Sequence, residues 1–186
     1  MTFPTFSAGE TLRAQDMNAV GLWRVGGGTL STATTDFVGC FTSDYTDYRI
    51  VIDQITWSGT GDLYFRMLNG TTPDMTAIYS WAYNGLSATN VASNSNGNGL
   101  TLGYLGTSNQ GLNNSVVGSC SFDIYAPNIP TRTLFTGLGI GVILDFVSKS
   151  GIAAHNLGSA FNGIRLLTGS AVTMTGNVSI YGYRKA

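Results

Sequence analysis

Four aspartates stand close together in the first third of the chain, and paired carboxyl groups are the catalytic groups of a glycoside hydrolase. They are Asp44, Asp47, Asp53 and Asp62. Asp44 and Asp47 also flank Tyr45 at the predicted entry to a strand, where an aspartate side chain commonly caps a turn. We expect this capping role for them. A small glycan-degrading enzyme is the alternative from the class of catalysts.

Two other features could suggest chemistry, and both lack the context that the chemistry needs. His155 is the single histidine, so it cannot form a histidine metal cluster, and no Gly-x-Ser-x-Gly elbow accompanies it for a catalytic triad. We expect a solvated loop histidine. The Gly137–Gly141 run is followed by the strand-like residues 142–144 instead of a helix, which argues against a phosphate-binding loop. We therefore predict no enzyme, no cofactor and no metal site.

The composition excludes several classes of protein. Of 186 residues, 43% are hydrophobic and 10% are charged, and the net charge is -1, which is unlike a disordered chain. Nine Lys and Arg against ten Asp and Glu leave no basic stripe, so we expect no nucleic-acid partner. No long apolar run or signal peptide is present, so we expect no membrane insertion. Cys40 and Cys120 lie in apolar runs and are predicted to be buried thiols, and their pairing stays open.

Alternation of apolar and polar residues predicts an all-β protein from residue 29 onward. We expect an antiparallel β-sandwich, jelly-roll-like, of about eight to ten strands. One face of each strand should be core, as in the series from Val116 to Ile124 and again in Leu138, Ile140, Val142, Leu144 and Phe146. The predicted strands are near 34–41, 47–57, 62–69, 76–83, 99–105, 115–125, 132–146 (as one strand or two), 163–168 and 171–183.

Residues 1–28 differ from this body, which spans 29–186. Thr11 can cap a short helix, but Leu12, Met17 and Val20 are too few apolar residues to bury it independently. We therefore predict an arm that docks on a partner and a hinge at Gly26–Gly28. The polar segments 84–99 and 148–161 are predicted to be exposed loops.

Three segments of the chain resemble proteins of one family. The opening Phe6–Val20 (FSAGETLRAQDMNAV) is similar to the start of many tailed-bacteriophage fibre and virion structural proteins. Phe41–Ile52 resembles an early strand of phage jelly-roll proteins, and Val178–Lys185 resembles their last strand. The resemblance implies a homotrimer on the virion surface, with the arm docked on the particle and the β body projecting outward. Because shaft repeats are missing, it leaves both a tail and a head location open.

The leading hypothesis is therefore a short trimeric tail fibre or adhesin. Its arm would contact tail or baseplate proteins, and its polar loops would contact host envelope glycans. The runner-up is a capsid decoration protein, a cement or head fibre, that stabilises the head shell by binding the major capsid protein. The residues expected to anchor the arm are Leu12, Met17, Val20, Leu22 and Trp23. The candidate ligand residues are Asn84, Asn94, Asn96, Asn98 and His155.

Overall fold

The computed structural model describes residues 21–59, 61–87, 92–109, 118–142, 146–169 and 172–184. Within these ranges the chain contains thirteen strands and no helix, so no helix there could span a membrane. The strands are β1 (Leu22–Leu30), β2 (Thr34–Phe37), β3 (Tyr45–Trp57), β4 (Gly61–Asn69), β5 (Thr72–Pro73), β6 (Tyr79–Ser87), β7 (Ala92–Leu100), β8 (Gly103–Asn109), β9 (Gly118–Tyr125), β10 (Thr133–Val142), β11 (Phe146–His155), β12 (Gly163–Thr168) and β13 (Met174–Arg184).

The strands form two antiparallel sheets that pack as a jelly-roll-like sandwich, which confirms the predicted fold class. The large sheet has eight strands in the order β1-β13-β3-β9-β10-β11-β6-β7. The small sheet has the order β2-β12-β4, and β4 pairs at its other side with β5 and β8. Neighbouring strands are far apart in sequence at several places, so the large sheet is assembled mostly by long-range pairing.

The core lies between the sheets and is made by the alternating side chains that the sequence predicts. On β3, Tyr48, Ile50 and Ile52 are fully buried while the residues between them face outward. On the small sheet, Leu63, Phe65 and Met67 do the same from β4. Burying each such side chain contributes about 1.5–3 kcal/mol relative to leaving it in water.

Two tyrosines supply polar links within this apolar interior. The hydroxyl of Tyr79 on β6 accepts a hydrogen bond from Met67 N on β4 at 2.9 Å and so joins the two sheets. The hydroxyl of Tyr48 accepts from Thr42 N at 2.7 Å and donates to Thr42 O at 2.8 Å. Cys40 and Cys120 are buried thiols, as predicted, and form no disulfide; burial raises the pKa of the Cys40 thiol to about 12.

The structure differs from the predicted hinge. Gly26–Gly28 lies within β1, an edge strand that pairs antiparallel with β13. The register shifts between Arg24 and Gly26, and Gly27 has a φ of 139°, which only glycine adopts readily. The run of glycines therefore forms an irregular strand. The body consequently begins several residues before position 29.

Two predicted loops are also strands. Most of the polar segment 84–99 forms the β6–β7 hairpin, and residues 148–155 belong to β11. Turn-forming Asn, Ser and Gly residues are accommodated there because the cross-strand backbone bonds do not depend on side-chain type. β7 is the last strand of the large sheet, where low β-propensity is tolerated best. The segment predicted near 132–146 divides into β10 and the start of β11.

Candidate functional site

The central strand β10 presents its apolar side to the outside of the sandwich. Leu134, Leu138 and Ile140 are 46%, 44% and 45% exposed, while Phe135 is buried. The prediction that Leu138 and Ile140 belong to the core is therefore wrong. The inner side of β10 at residue 137 is a glycine because a Cβ there would lie 2.7 Å from Phe122 Cβ on β9. Packing thus requires the glycine inside and the leucines outside.

Large apolar residues of the neighbouring strands join this side of β10. Ile152 on β11 is 63% exposed and pairs with Thr136, and Tyr125 on β9 is 39% exposed and pairs with Leu134. We call the group the outer apolar face; it comprises Leu86, Tyr125, Leu134, Leu138, Ile140 and Ile152. In a sandwich the outer side of an antiparallel sheet is normally polar. Exposed apolar side chains gathered at its centre are typical of an interaction site.

One end of this surface carries a neutral cluster of charged and phenolic groups. Arg49 Nε and Nη2 donate to the two carboxylate oxygens of Asp123, both at 2.8 Å, and Tyr183 Oη donates to Asp123 at 2.7 Å. Burial alone would raise the pKa of Asp123, but these hydrogen bonds outweigh it and hold the pKa below its usual value. The carboxylate therefore stays ionised and compensates the Arg49 charge.

The other end is rich in amide side chains. Asn84 pairs with Asn94 across β6 and β7, and Asn96 pairs with Ala82. Asn98 accepts a hydrogen bond from Ser80 Oγ at 2.6 Å. All four asparagines are exposed. The structure therefore brings together the asparagines predicted as ligand residues, but on the outer side of a hairpin and not on loops.

Between the two ends lies a shallow groove of about 580 Å³. Its lining includes the apolar side chains of Leu138 and Ile152 and hydrogen-bonding groups from Arg49, Asp123 and Asn84. Apolar linings with a few convergent polar groups are common in sites that bind small molecules or partner chains. The arrangement can bind and orient a ligand.

His155 lies elsewhere, and the expectation of a solvated loop histidine is wrong. It is the last residue of β11, it is fully buried, and its ring packs edge-on against Tyr79 and Phe161. Its Nε2 lies 3.0 Å from Asp74 Oδ2. Burial would raise the pKa of Asp74, but hydrogen bonds from Thr76 and His155 lower it below the usual value. His155 is thus a structural residue and does not belong to the groove.

Lys149 is a buried cation that the sequence analysis missed. Its Nζ lies 4.7 Å from the centre of the Tyr83 ring and 3.2 Å from Tyr104 Oη. Burial lowers the pKa of this ammonium. The alternation of Tyr79, Trp81 and Tyr83 could have indicated a site for a buried cation. That side of β6 faces inward, and aromatic rings stabilise a nearby cation. The strand that carries Lys149 was predicted as a loop.

The aspartates considered as catalytic carboxyls bind separate partners. Asp44 accepts from Thr42 Oγ1 at 3.5 Å, a local contact in the turn before β3, whereas Asp47 lies within β3 and its Oδ1 accepts from the distant Ala126 N at 3.1 Å. Asp53 accepts from Ser119, and Asp62 accepts from Tyr64. Among the residues that the structure describes, no group of three or more His, Cys, Asp or Glu could hold a metal ion.

The residues predicted to anchor the arm divide into two sets. Leu12, Met17 and Val20 lie outside the described residues. Leu22 and Trp23 begin β1, pair with Tyr183 and Gly182, and are 43% and 38% exposed. They therefore stand at the edge of the large sheet.

The chain was compared with models of known protein families and with curated protein sequences. It matches none of them.

Proposed function

We propose that this chain is a non-enzymatic structural protein of a bacteriophage virion, a homotrimeric tail fibre or adhesin on the particle surface. The outer apolar face supports the proposal most directly. Its aliphatic side chains lie at the centre of a sheet whose outer side would face water in an isolated subunit. Such a surface favours a protein that functions within an assembly.

The attachment part of the proposal comes from the start of the chain. Its opening segment resembles those of phage fibre proteins, and the first described strand exposes Leu22 and Trp23 at a sheet edge. An exposed edge with large apolar side chains can pair with or pack on another virion protein. Host envelope glycans are the proposed ligands of the amide-rich end of the groove, because amides hydrogen-bond hydroxyl groups well.

The test is immunogold electron microscopy of purified particles with antibody against the recombinant chain. Gold at the tail tip or baseplate is the expected result. Unlabelled particles, in a preparation where the same antibody labels immobilised chain, would refute a virion location. Particles made with residues 1–20 deleted, which leaves β1 intact, provide the second arm of the experiment, because loss of the protein from those particles is expected if the opening segment attaches it.

A capsid decoration protein is the second candidate function. The short body without shaft repeats favours it, because a compact sandwich can bridge neighbouring capsid subunits without a long reach. Gold over the head would select this function. Particles lacking the protein should then lose infectivity on heating more readily than complete particles do.

A further inference from the structure

We propose that the outer apolar face is covered by a second copy of this chain, whose own β10 and β11 side chains interleave with it. The inference rests on the self-assembly in the proposed function and names the surface that performs it. The surface is defined by Leu138, Ile140 and Ile152, with Leu86, Leu134 and Tyr125 around them. Three properties of the face support this occupant.

The first property is the alternation of large and small residues across the strands. Leu138 has Ser121 on β9 and Ser150 on β11 as its direct cross-strand neighbours. Ile140 likewise lies between Ser119 and Ser148. Each large side chain therefore projects beside small ones, which leaves space between the projections where side chains of another copy can insert.

Ile152 extends the same pattern to the next strand, because its cross-strand neighbours are Thr136 and Ala82. Two sheets that pack face to face lie about 10 Å apart and interdigitate their side chains in this way. A face with both projections and gaps can pack on the same face of other copies around a symmetry axis, as the subunits of a homo-oligomer do.

The second property is charge. The ionic groups that line the groove are Arg49 and Asp123, and they form a bidentate pair with each other. Two copies of the face can therefore approach without repulsion between like charges, which commonly keeps protein surfaces apart. A strongly charged partner of either sign would gain no net electrostatic attraction from this neutral pair.

The third property is the chemistry of the projecting groups. Sugar rings are bound most effectively by flat aromatic side chains. The centre of this face is branched aliphatic, from Leu138 and Ile152, and Tyr125 lies at its margin. Branched aliphatic side chains pack best against other side chains, as they do in a protein core. The face therefore fits a protein partner better than a glycan.

The experiment measures the solution mass of the full chain by light scattering after size exclusion, over a series of concentrations. The wild-type mass should be at least twice 19.6 kDa, and Leu138→Asp and Ile152→Asp should each shift it to 19.6 kDa. The matched control is Met75→Asp, because Met75 is 58% exposed but lies in the loop after β5, outside the face. The control should keep the wild-type mass.

A second measurement does not depend on disrupting the interface. Ser150→Cys places a thiol on the face while the native cysteines stay buried, and mild oxidation should link two copies through it. Thr71→Cys, at the exposed turn between β4 and β5, is the control and should not form the linked species at the same concentration. This variant decides the question if an aspartate variant fails to fold by circular dichroism.

A wild-type mass of 19.6 kDa at every concentration would overturn the inference, and so would an oligomer that survives both aspartate substitutions and fails to link through position 150. A monomer whose glycan binding is lost in Leu138→Asp would assign the face to a sugar instead. Monomeric chain that is nevertheless found on particles by immunogold refutes this inference alone. An oligomer through this face that is absent from particles refutes the virion proposal alone.

Discussion

Phe122 on β9 and Gly137 on β10 lie directly opposite each other, and a Cβ atom at Gly137 would stand 2.7 Å from Phe122 Cβ. This contact determines which side of β10 faces the core. Side chains alternate strictly along a strand, so a glycine facing inward places Leu138 and Thr136 on the outer side. The outer apolar face is thus a consequence of how β9 and β10 pack.

Gly137→Ala should destabilise the sandwich by about 1–3 kcal/mol, the usual effect of forcing a methyl group into a packed interior. Phe122 and the Ser121 carbonyl oxygen at 3.1 Å would both have to move. Chemical denaturation measures the change in the free energy of unfolding. Gly28→Ala is the control, because the added atom would meet only Phe37 Cε1 at 3.6 Å, an ordinary contact. Equal effects of the two substitutions would contradict this account.

His155→Ala should lower the free energy of unfolding by about 3 kcal/mol. The substitution removes a buried ring that packs on Tyr79 and Phe161, and it leaves Asp74 without one of its partners. Thermal unfolding and chemical denaturation would both report the change. Leu157→Ala, at an exposed neighbouring position, should change stability by less than about 0.5 kcal/mol. A tolerated His155→Ala would show that the buried pair contributes little.

Acid should destabilise the protein through Asp74 and Asp123. Hydrogen bonds lower the pKa of both carboxyls below 3.8 in the folded chain, so their contribution is fully present above that pH. It is lost as the pH falls below 3.8 through the folded pKa values, because the unfolded chain then binds more protons. Denaturation midpoints measured from pH 6 to pH 2 would show the loss.

Asp123→Asn isolates one of these groups. It should reduce stability at neutral pH by about 1 kcal/mol, a modest value because Arg49 is partly exposed and solvent screens the pair. The variant should also lose less stability than wild type between pH 4 and pH 2. Identical acid profiles for the two proteins would rule out Asp123 as a contributor.

Alkaline unfolding should depend on one buried and two half-buried tyrosines. Burial raises the pKa of Tyr48, Tyr64 and Tyr183 from 10.0 to about 12, so each hydroxyl stabilises the fold below pH 10. That stability is lost as the pH rises from 10 toward 12, because the unfolded chain releases these protons first. Tyrosinate absorbance and circular dichroism recorded together should change in one cooperative step.

Tyr48→Phe removes one of these tyrosine hydroxyls and should shift the alkaline unfolding step to higher pH. Ionisation of these tyrosines near pH 10 in still-folded protein would contradict the prediction.

The period of two in the hydrophobic pattern was enough to predict an antiparallel sandwich and the inner side of several strands. Cys120, Phe122 and Ile124 on β9 face inward as expected, because only one side of that strand is apolar and burial of apolar area dominates. The same reasoning was wrong for β10, where the apolar side lies outside. Local hydrophobicity carried no information about the space already filled by Phe122.

The candidate site also depended on pairing that no local pattern contains. The asparagines predicted as loop residues lie side by side on two strands, because β6 pairs with β7 and β11 pairs with β6. His155 meets Asp74, its partner 81 residues away in sequence, only through the packing of the two sheets. Sequence alone determined which residues are apolar, polar or charged and that strands would form. Tertiary structure decided which side of each strand is covered, because burial is a property of neighbouring strands and not of a single segment.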